Sequence, residues 1–302
     1  MGPLVNVRNE FSRKFEALEK PSRKAGKIIP ARLASQAQIH YLGPPAFVSV
    51  QGVCMSRIKL SYAQKKCVAT VGMLMQKTRM VGPGSRVGVA VSGGVDSFTL
   101  LKVLTIRQRI LPFEMDIMVL HVNPGFNTGD HAALGKWCGE NGVAAHIEVS
   151  DFGPRAHSEE NRKDSPCFYC AWLRRKRLFE LCSEYGLSHL ALGHNTDDLV
   201  DTFFMNIFQN GRVDGLSASE SFFGGRLQVI RPALFVEKAT MRTAARQWAL
   251  PIWSNACPSN GKTKRAEIHD RIEECMTLGK GTKNKVFNAL RRHQLDLTLQ
   301  KL

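Results

Sequence analysis

The most constraining feature of this chain is a glycine turn that joins a strand pattern to a helix pattern around residue 93. Val87, Val89 and Val91 alternate as strand residues do, whereas the apolar residues between 98 and 104 follow a helical period. At such a junction in a parallel sheet, backbone N–H groups and the helix dipole favour an anion, and consecutive glycines let the main chain approach it closely. The segment predicts a phosphate-binding loop with contacts from Val91, Ser92, Gly93, Gly94, Asp96 and Ser97.

Strand and helix patterns alternate along most of the chain after this turn. The expected strands are 87–91, Asp116–Val122, Ala144–Val149 and His189–Leu192, and the expected helices are Met55–Gln76, 98–104, His131–Asn141, Ala171–Tyr185 and Ala239–Ala249. This alternation is typical of a parallel sheet covered by helices on both faces. We therefore predict an α/β fold built on a doubly wound, Rossmann-like parallel sheet.

Three regions are expected along the chain. Residues 1–54 contain scattered charges, the prolines Pro21, Pro30, Pro44 and Pro45 among others, and no sustained apolar period, which predicts a weakly ordered extension. Residues 55–266 form the main domain, and residues 267–302 read as a basic helical tail. Neither a run of about 18 apolar residues nor a basic flank followed by an apolar core is found, so we expect no membrane span, no secretory signal and a cytoplasmic location.

The charge balance suggests a polyanionic partner. The formal net charge is +16 and the isoelectric point is near 9.7. A field of this strength attracts nucleic acid at long range. Composition alone leaves a merely soluble basic protein equally open.

A second motif, Gly193-His194-Asn195-Thr196-Asp197-Asp198, follows the fourth expected strand. It should emerge at the same carboxyl edge of the sheet as the phosphate loop. Asp197 and Asp198 offer the hard oxygen ligands that Mg²⁺ prefers when it bridges phosphates. The alternative is a solvated pair of helix-capping carboxylates.

The cysteines point to a metal or redox role. The chain has eight, at irregular positions, and without a secretion signal we expect reduced thiols. Cys167 and Cys170 form a CxxC, a spacing shared by zinc, iron–sulfur and redox sites, and Cys257 lies in a later loop. No second CxxC or histidine pair completes a closed zinc site, and a thioredoxin-like motif belongs to a different fold. This favours a three-cysteine site with one open position, while Cys54, Cys67 and Cys138 read as ordinary small apolar residues.

Two of these motifs resemble a known superfamily. The SGGVDS segment is similar to the PP-loop of the ATP pyrophosphatase superfamily, and GHNTDD is similar to its GHxxDD element. The resemblance implies cleavage of ATP between its α and β phosphates. It also places the end of the second strand against the adenine, where His121 is a candidate base contact or, equally, a buried strand-end histidine. ATP contacts are further expected from Gly193 and His194.

A closer resemblance runs from Tyr62 to Ala266. CFYCAWLRRKRL, ALGHNTDDLVDTFFMN, Arg231-Pro232 and Cys257-Pro258 resemble the tRNA 2-thiocytidine synthetase (TtcA/TtuA) family. It implies ATP-dependent tRNA thiolation, with a [4Fe-4S] cluster on Cys167, Cys170 and Cys257 whose fourth iron is free to carry sulfide. The zinc-binding CxxC pairs of TtuA relatives are absent, which favours the TtcA side. Cys182 and Cys275 remain alternatives to Cys257.

The catalytic roles are expected from Asp96, Asp197 and Asp198, with Mg²⁺ on the last two. A basic run beside the CxxC, Arg174, Arg175, Lys176 and Arg177, is expected to bind RNA phosphates, or else to form a solvated face. The expected partners are tRNA and a sulfur donor, either sulfide or a cysteine desulfurase, and homodimerisation stays open. Rival functions are amine ligation like that of tRNA lysidine synthetase, desulfuration of a thiolated nucleobase, and a non-catalytic sensor that binds RNA and a cluster.

Overall fold

The computed structural model describes residues 39–42 and 59–299, apart from 128, 130, 162–164, 255, 260, 262–263, 278 and 280. The strands are β1 Ile39–Leu42, β2 Ser85–Ala90, β3 Met115–Asn123, β4 Ala144–Val149, β5 His189–Ala191, β6 Ser219–Phe222 and β7 Leu227–Ile230. The helices are α1 Tyr62–Thr78, α2 Val95–Gln108, α3 Ala132–Asn141, α4 Phe152–Ala156, α5 Pro166–Glu184, α6 Thr196–Asn210, α7 Lys238–Gln247, α8 Lys264–Met276 and α9 Thr282–Leu299.

All seven strands form one sheet in the order β1-β4-β3-β2-β5-β7-β6. The five inner strands are parallel, while β1 and β6 pair antiparallel with β4 and β7. From β2 the chain builds outward through β3 and β4, and it then returns to the other side of β2 with β5. The carboxyl ends of β2 and β5 therefore mark a topological switch point, which is where open α/β sheets bind ligands.

Alternating side chains of β3 build a core on each face of the sheet. Ile117 and Val119 pack with α1, α2, α3 and α7, whereas Leu120 and Val122 pack with α5. Because both faces are covered, β3 is apolar along most of its length, as buried parallel strands are. Truncating a fully buried leucine such as Leu104 to alanine should cost about 2–5 kcal/mol. The doubly wound α/β prediction is confirmed.

Helix α1 begins at Tyr62 because Ser61 caps it. The Ser61 hydroxyl accepts a hydrogen bond from the Gln64 amide at 3.3 Å, and the Gln64 side chain accepts one from the Ser61 amide at 2.8 Å. These two bonds satisfy donors that the first helical turn leaves free. The helix was expected to begin at Met55, which lies outside the described residues.

Other differences from the sequence prediction lie at the edges of the fold. β1 lies within the extension that was expected to be weakly ordered, and the β6–β7 hairpin was not predicted. The expected boundary between residues 266 and 267 falls inside α8. Ile272 and Leu290 are buried in the main core, so the C-terminal helices pack onto the domain. Among the described helices, none has both the length and the apolar character needed to cross a bilayer.

Candidate active site

The phosphate loop closes on itself through two serines. Ser97 Oγ accepts a hydrogen bond from the Ser92 amide at 3.1 Å and donates one to the Gly94 carbonyl at 3.0 Å. The two hydroxyl oxygens lie 3.2 Å apart. Gly94 is the N-cap of α2 and supplies no side-chain cap, so the helix N-terminus stays open to an anion. This geometry leaves the start of α2 available to an anion, and phosphate binding by the loop stays a prediction.

The second motif packs directly against this cradle. A Cβ on Gly193 would lie 2.9 Å from the Ser97 nitrogen and 3.0 Å from its Cα, so only glycine fits there without displacement. The next residues start α6, where Asn195 is fully buried and its Oδ1 accepts from the amides of Asp197 and Asp198 at 2.9 and 3.2 Å. The expectation that both motifs emerge at one sheet edge is met.

Asp96 and Asp198 line one cavity together, and Asp197 does not. The pKa of Asp96 is raised to about 6, chiefly by burial and also by the charge of Asp198, although Lys238 acts to lower it. Asp96 Oδ1 is buried without a hydrogen-bond partner in the described part of the chain. A buried, unpaired carboxylate oxygen beside a second carboxylate suits a divalent cation with oxygen ligands.

Asp197 points elsewhere. Its Oδ2 accepts a hydrogen bond from the Lys238 amide at 3.0 Å, which ties the start of α6 to the start of α7. Asp198 Oδ2 accepts from the Asn195 amide at 3.0 Å and still reaches the cavity. The structure therefore brings Asp96 and Asp198 together at the cavity and leaves Asp197 outside it.

The cavity has a volume of about 350 Å³ and is lined by both apolar and polar side chains. Leu120, Val122, Leu178 and Leu192 supply an apolar wall from β3, α5 and the end of β5. Ser92, Asp96, Asp198, Arg174, Arg175 and Arg231 supply the polar side chains. An apolar slot beside a phosphate cradle matches a nucleotide, with the base in the slot and the phosphates at the loop.

His121 lies behind this cavity rather than in its wall. Its Nδ1 donates to the Val91 carbonyl at 2.7 Å, and burial lowers its pKa to about 4, so the ring is neutral at pH 7. The ring lines a neighbouring cavity of about 270 Å³ that shares Ser92, Val122 and Arg174 with the first. The side chain matches the buried strand-end alternative, and Val122 takes the place at the apolar wall.

The three candidate cluster ligands lie near one another. Cys167 and Cys170 occupy the first turns of α5, which Ser165 caps through the Phe168 amide at 3.4 Å. Burial raises the pKa of Cys170, and the charges of Cys257 and Cys167 raise it further. All three thiols are partly exposed. Within the described ranges, however, no three His, Cys, Asp or Glu side chains are already drawn together as metal ligands.

The other cysteines lie elsewhere. Cys182 is twelve residues beyond Cys170 on α5, about 18 Å along a helix, and is buried in the α5-side core. Cys275 is exposed on α8. Burial raises the pKa of Cys67 to about 11 and of Cys138 to about 12, as expected of unreactive core thiols. Cys54 lies outside the described residues.

The basic run on α5 divides into different environments, unlike the RNA-facing patch that we expected. Arg174 lines both cavities. Arg175 is exposed to solvent overall but lines the first cavity, where local loss of solvent and then the charge of Arg231 lower its pKa. Lys176 pairs with Glu180 at 3.8 Å. Helical periodicity explains the division, because successive residues point about 100° apart.

Arg177 is bound by carboxylates inside the protein. It contacts Glu148 at 2.8 and 3.0 Å, Glu184 at 2.7 Å and Glu180 at 3.4 Å. Its charge is largely compensated within the fold, so the expectation that it binds RNA is not supported.

Arg231 is a site residue to which the sequence assigned no role. It is buried at the cavity, donates to the Ser217 carbonyl at 2.7 Å and to His194 Nδ1 at 3.3 Å, and lies 3.6 Å from Glu220. The only available signal was the Arg231-Pro232 pair at the end of β7. Arg231 and Arg175 thus place guanidinium groups in the same cavity lining as the carboxylates of Asp96, Asp198 and Glu220.

A family model described as a PP-loop domain matches residues 64–274. Curated relatives carry the name tRNA-cytidine(32) 2-sulfurtransferase. The protein of Geobacter metallireducens is 31% identical over 77% of this chain and 93% of its own length. That of Bordetella pertussis is 34% identical over 73% of this chain and 70% of its own length.

A solved structure shares the fold. The U34-tRNA thiolase NcsA from Methanococcus maripaludis, with its [4Fe-4S] cluster, superposes with a TM-score of 0.62 at 22% identity, over 76% of this chain and 80% of that one.

Proposed function

This chain belongs to the PP-loop family, in the group that contains the curated tRNA-cytidine(32) 2-sulfurtransferases, and we propose that it forms 2-thiocytidine in tRNA at the expense of ATP. The observation that carries this proposal is the position of the cavity. It has a phosphate cradle and a carboxylate pair, and Arg174 links it to the helix that bears two of three neighbouring thiols.

The first step is activation of the base. The cytosine C2 carbonyl oxygen attacks the α-phosphorus of ATP, the bond from that phosphorus to the bridging oxygen breaks, and pyrophosphate leaves with the electron pair. The chain's own contribution is to hold the leaving group at the open N-terminus of α2 and to offset its charge with Arg175 and Arg231. The apolar wall orients the adenine.

Asp96 and Asp198 would hold the Mg²⁺ that accompanies the nucleotide, since both face the cavity and their carboxylates are the hard oxygen ligands that this ion prefers. Asp197 would act indirectly by fixing the start of α6 to α7.

The second step replaces oxygen by sulfur. A sulfide sulfur attacks C2, and AMP leaves with the former carbonyl oxygen. Cys167, Cys170 and Cys257 would hold a [4Fe-4S] cluster, which would supply the sulfide for this step. The residues present fit this group, because three thiols neighbour one another and no fourth cysteine lies with them among the described residues.

The partners follow from charge and chemistry. A chain with a net charge of +16 suits a tRNA substrate, and sulfide or a cysteine desulfurase would supply the sulfur. We place the reaction in the cytoplasm and leave homodimer formation as a proposal to be tested by light scattering.

The test is a reaction of anaerobically reconstituted protein with unmodified tRNA transcript, ATP, Mg²⁺ and sulfide. Mass analysis of the digested nucleosides should show 2-thiocytidine, with AMP and pyrophosphate released in equal amounts. AMP release without a thiolated base would instead favour amine ligation. Loss of sulfur from thiolated tRNA would favour desulfuration, and RNA binding without AMP release would favour a sensor. Asp198→Asn should lose AMP release, and Asp270→Asn, a change at an exposed residue of α8, is the matched control.

A further inference from the structure

Trp253 connects the phosphate loop to the segment that carries Cys257. Its backbone amide donates to the Gly93 carbonyl at 3.1 Å. Its ring covers Gly93 so closely that a Cβ there would lie 2.1 Å from Cε2 and 2.4 Å from Cζ2. Gly93 also has a φ of +89°, a conformation that favours glycine. Glycine is therefore required at position 93 both by the backbone turn and by the closeness of the indole.

The indole is held from other sides as well. Phe98 of α2 meets it edge to face with ring centroids 5.8 Å apart, and His121 of β3 does so at 5.7 Å. Edge-to-face packing on two elements gives the ring a defined orientation. The indole therefore packs closely against Gly93, with no slack in which a shift of the loop could be accommodated.

Cys257 follows Trp253 by four residues, a span of at most about 14 Å. Beyond the cysteine, Ser259 Oγ donates to His157 Nε2 at 2.8 Å. That ring is itself fixed, because its Nδ1 donates to the Gly153 carbonyl at 2.9 Å. Cys257 thus lies between two attachments, one on the phosphate loop and one beside α4.

A phosphate bound at the start of α2 would compete with two serine hydroxyls for the amides on either side of Gly93. The Ser92 amide is engaged by Ser97 Oγ, and the Gly94 amide lies 3.5 Å from Ser92 Oγ. An anion that takes these donors displaces the hydroxyls on both sides of Gly93. A ligand can shift a second site only through such a difference between its bound and free states.

We propose that Trp253 is a positioning residue that couples occupancy of the phosphate loop to the position of Cys257. The proposal rests on the proposed function, in which Cys257 holds sulfur-carrying iron. By this coupling the nucleotide adjusts the third thiol before sulfur transfer. Because coupling free energies are reciprocal, a group bound at Cys257 changes nucleotide affinity by the same factor.

The test needs neither a cluster nor tRNA. Metal-free protein is alkylated with iodoacetamide, with and without a saturating non-hydrolysable ATP analogue whose binding is verified for each variant. Peptide mass analysis then gives the rate at each cysteine. In the wild type, nucleotide should change the Cys257 rate by about threefold or more, a modest allosteric coupling. Exposed Cys275 is the internal control and should not respond.

Trp253→Phe, which keeps an aromatic ring against Gly93, should retain the nucleotide response, and Trp253→Ala should abolish it. If Trp253→Ala does not fold, Trp253→Leu replaces it and should also lose the response. Ser259→Ala removes only the hydrogen bond to His157 and should keep the nucleotide response. Trp248→Phe is the matched tryptophan control at the end of α7. An unresponsive Cys257 in the wild type, or a full response in folded Trp253→Ala or Trp253→Leu, overturns the proposal. The alkylation result does not depend on tRNA thiolation. Failure of the proposed function and failure of the proposed coupling can therefore be told apart.

Discussion

Gly193 and Ser97 pack backbone to backbone, with the place of a Gly193 Cβ only 2.9 Å from the Ser97 nitrogen. The obstructing atoms belong to the main chain of α2 and cannot rotate away. A single glycine in the β5–α6 loop therefore sets how closely that loop approaches the phosphate cradle. The contact joins the two motifs that the sequence analysis identified separately.

Gly193→Ala should displace the start of α2 and weaken nucleotide binding. Overpacking of this kind costs about 1–3 kcal/mol of stability, and the same displacement should reduce ATP affinity about tenfold or more. Titration calorimetry and thermal unfolding measure the two effects. Gly139→Ala is the matched control, because Gly139 is exposed within α3 and has no atom within 4 Å of its Cβ position. It should bind ATP normally and gain about 0.5–1 kcal/mol. Normal ATP affinity in Gly193→Ala would contradict the packing argument.

Asp96 should make the metal-free protein less stable as pH rises. Its folded pKa of about 6 lies above the ordinary value of 3.8, so the folded state holds the proton more tightly. The resulting stability is full below about pH 4 and is lost as pH rises through 6, up to about 3 kcal/mol. Asp96→Asn should remove this loss and be the more stable protein at pH 7.

The same substitution should reduce Mg²⁺-dependent ATP turnover by about a hundredfold or more, since a metal ligand is lost. Denaturant titrations at pH 4 to 8 in EDTA, with a turnover assay, measure both. Asp270→Asn should retain the wild-type pH profile and turnover. If Asp96→Asn were less stable than the wild type at pH 7, or kept full ATP turnover, Asp96 would not be a ligand of the proposed Mg²⁺.

The sequence predicted the parts of the site that depend on short contiguous segments. The phosphate loop and the Gly193 motif each combine a strand end, a turn and a helix start, which are local features. Asp197 and Asp198 could not be distinguished in this way, because adjacent residues on a helix diverge by about 100° and the direction of the cavity is a tertiary property. In the structure the two carboxylates differ, because the Lys238 amide donates a hydrogen bond to Asp197 and holds it away from the cavity.

Long-range packing accounts for what the sequence did not reveal. β6 is four residues long, partly exposed and without strong alternation, so its pairing with β7 leaves little local signal. Arg231 and Trp253 acquire their roles from partners far away in the chain, Ser217 and Gly93. Arg177 looks like its basic neighbours in sequence, and only the position of Glu148 on β4 shows that it is internal.

Arg177→Gln should lower stability without changing the salt dependence of tRNA binding. Burial acts to raise the pKa of Glu148, but hydrogen bonds from His146 and Arg177 outweigh it and keep the carboxylate ionised. Removing one partner of a mostly buried ion pair costs about 3–5 kcal/mol, reduced here because Arg177 is partly exposed. Arg174→Gln, the matched change three residues earlier, should instead weaken tRNA binding and leave stability nearly unchanged. Binding measured from low to moderate salt and urea unfolding separate the two. If Arg177→Gln made tRNA affinity less dependent on salt concentration without changing stability, Arg177 would instead be a residue that contacts RNA.

The last prediction concerns the thiols. After anaerobic reconstitution, iron, sulfide and visible absorbance should be lost in each of Cys167→Ser, Cys170→Ser and Cys257→Ser. With only three protein ligands proposed, no other cysteine can replace the one removed. Each should still bind a non-hydrolysable ATP analogue, since the phosphate loop lies on β2 and α2 and uses no cysteine. Cys275→Ser on exposed α8 should keep the full iron content and serves as the matched control. Iron and acid-labile sulfide analysis with calorimetry measures these outcomes. If Cys257→Ser kept its iron while Cys275→Ser lost it, the third ligand would be misassigned and the sulfur-transfer proposal would stand. If the reconstituted wild type took up zinc alone, the three thiols would form a structural site and the proposal would fail.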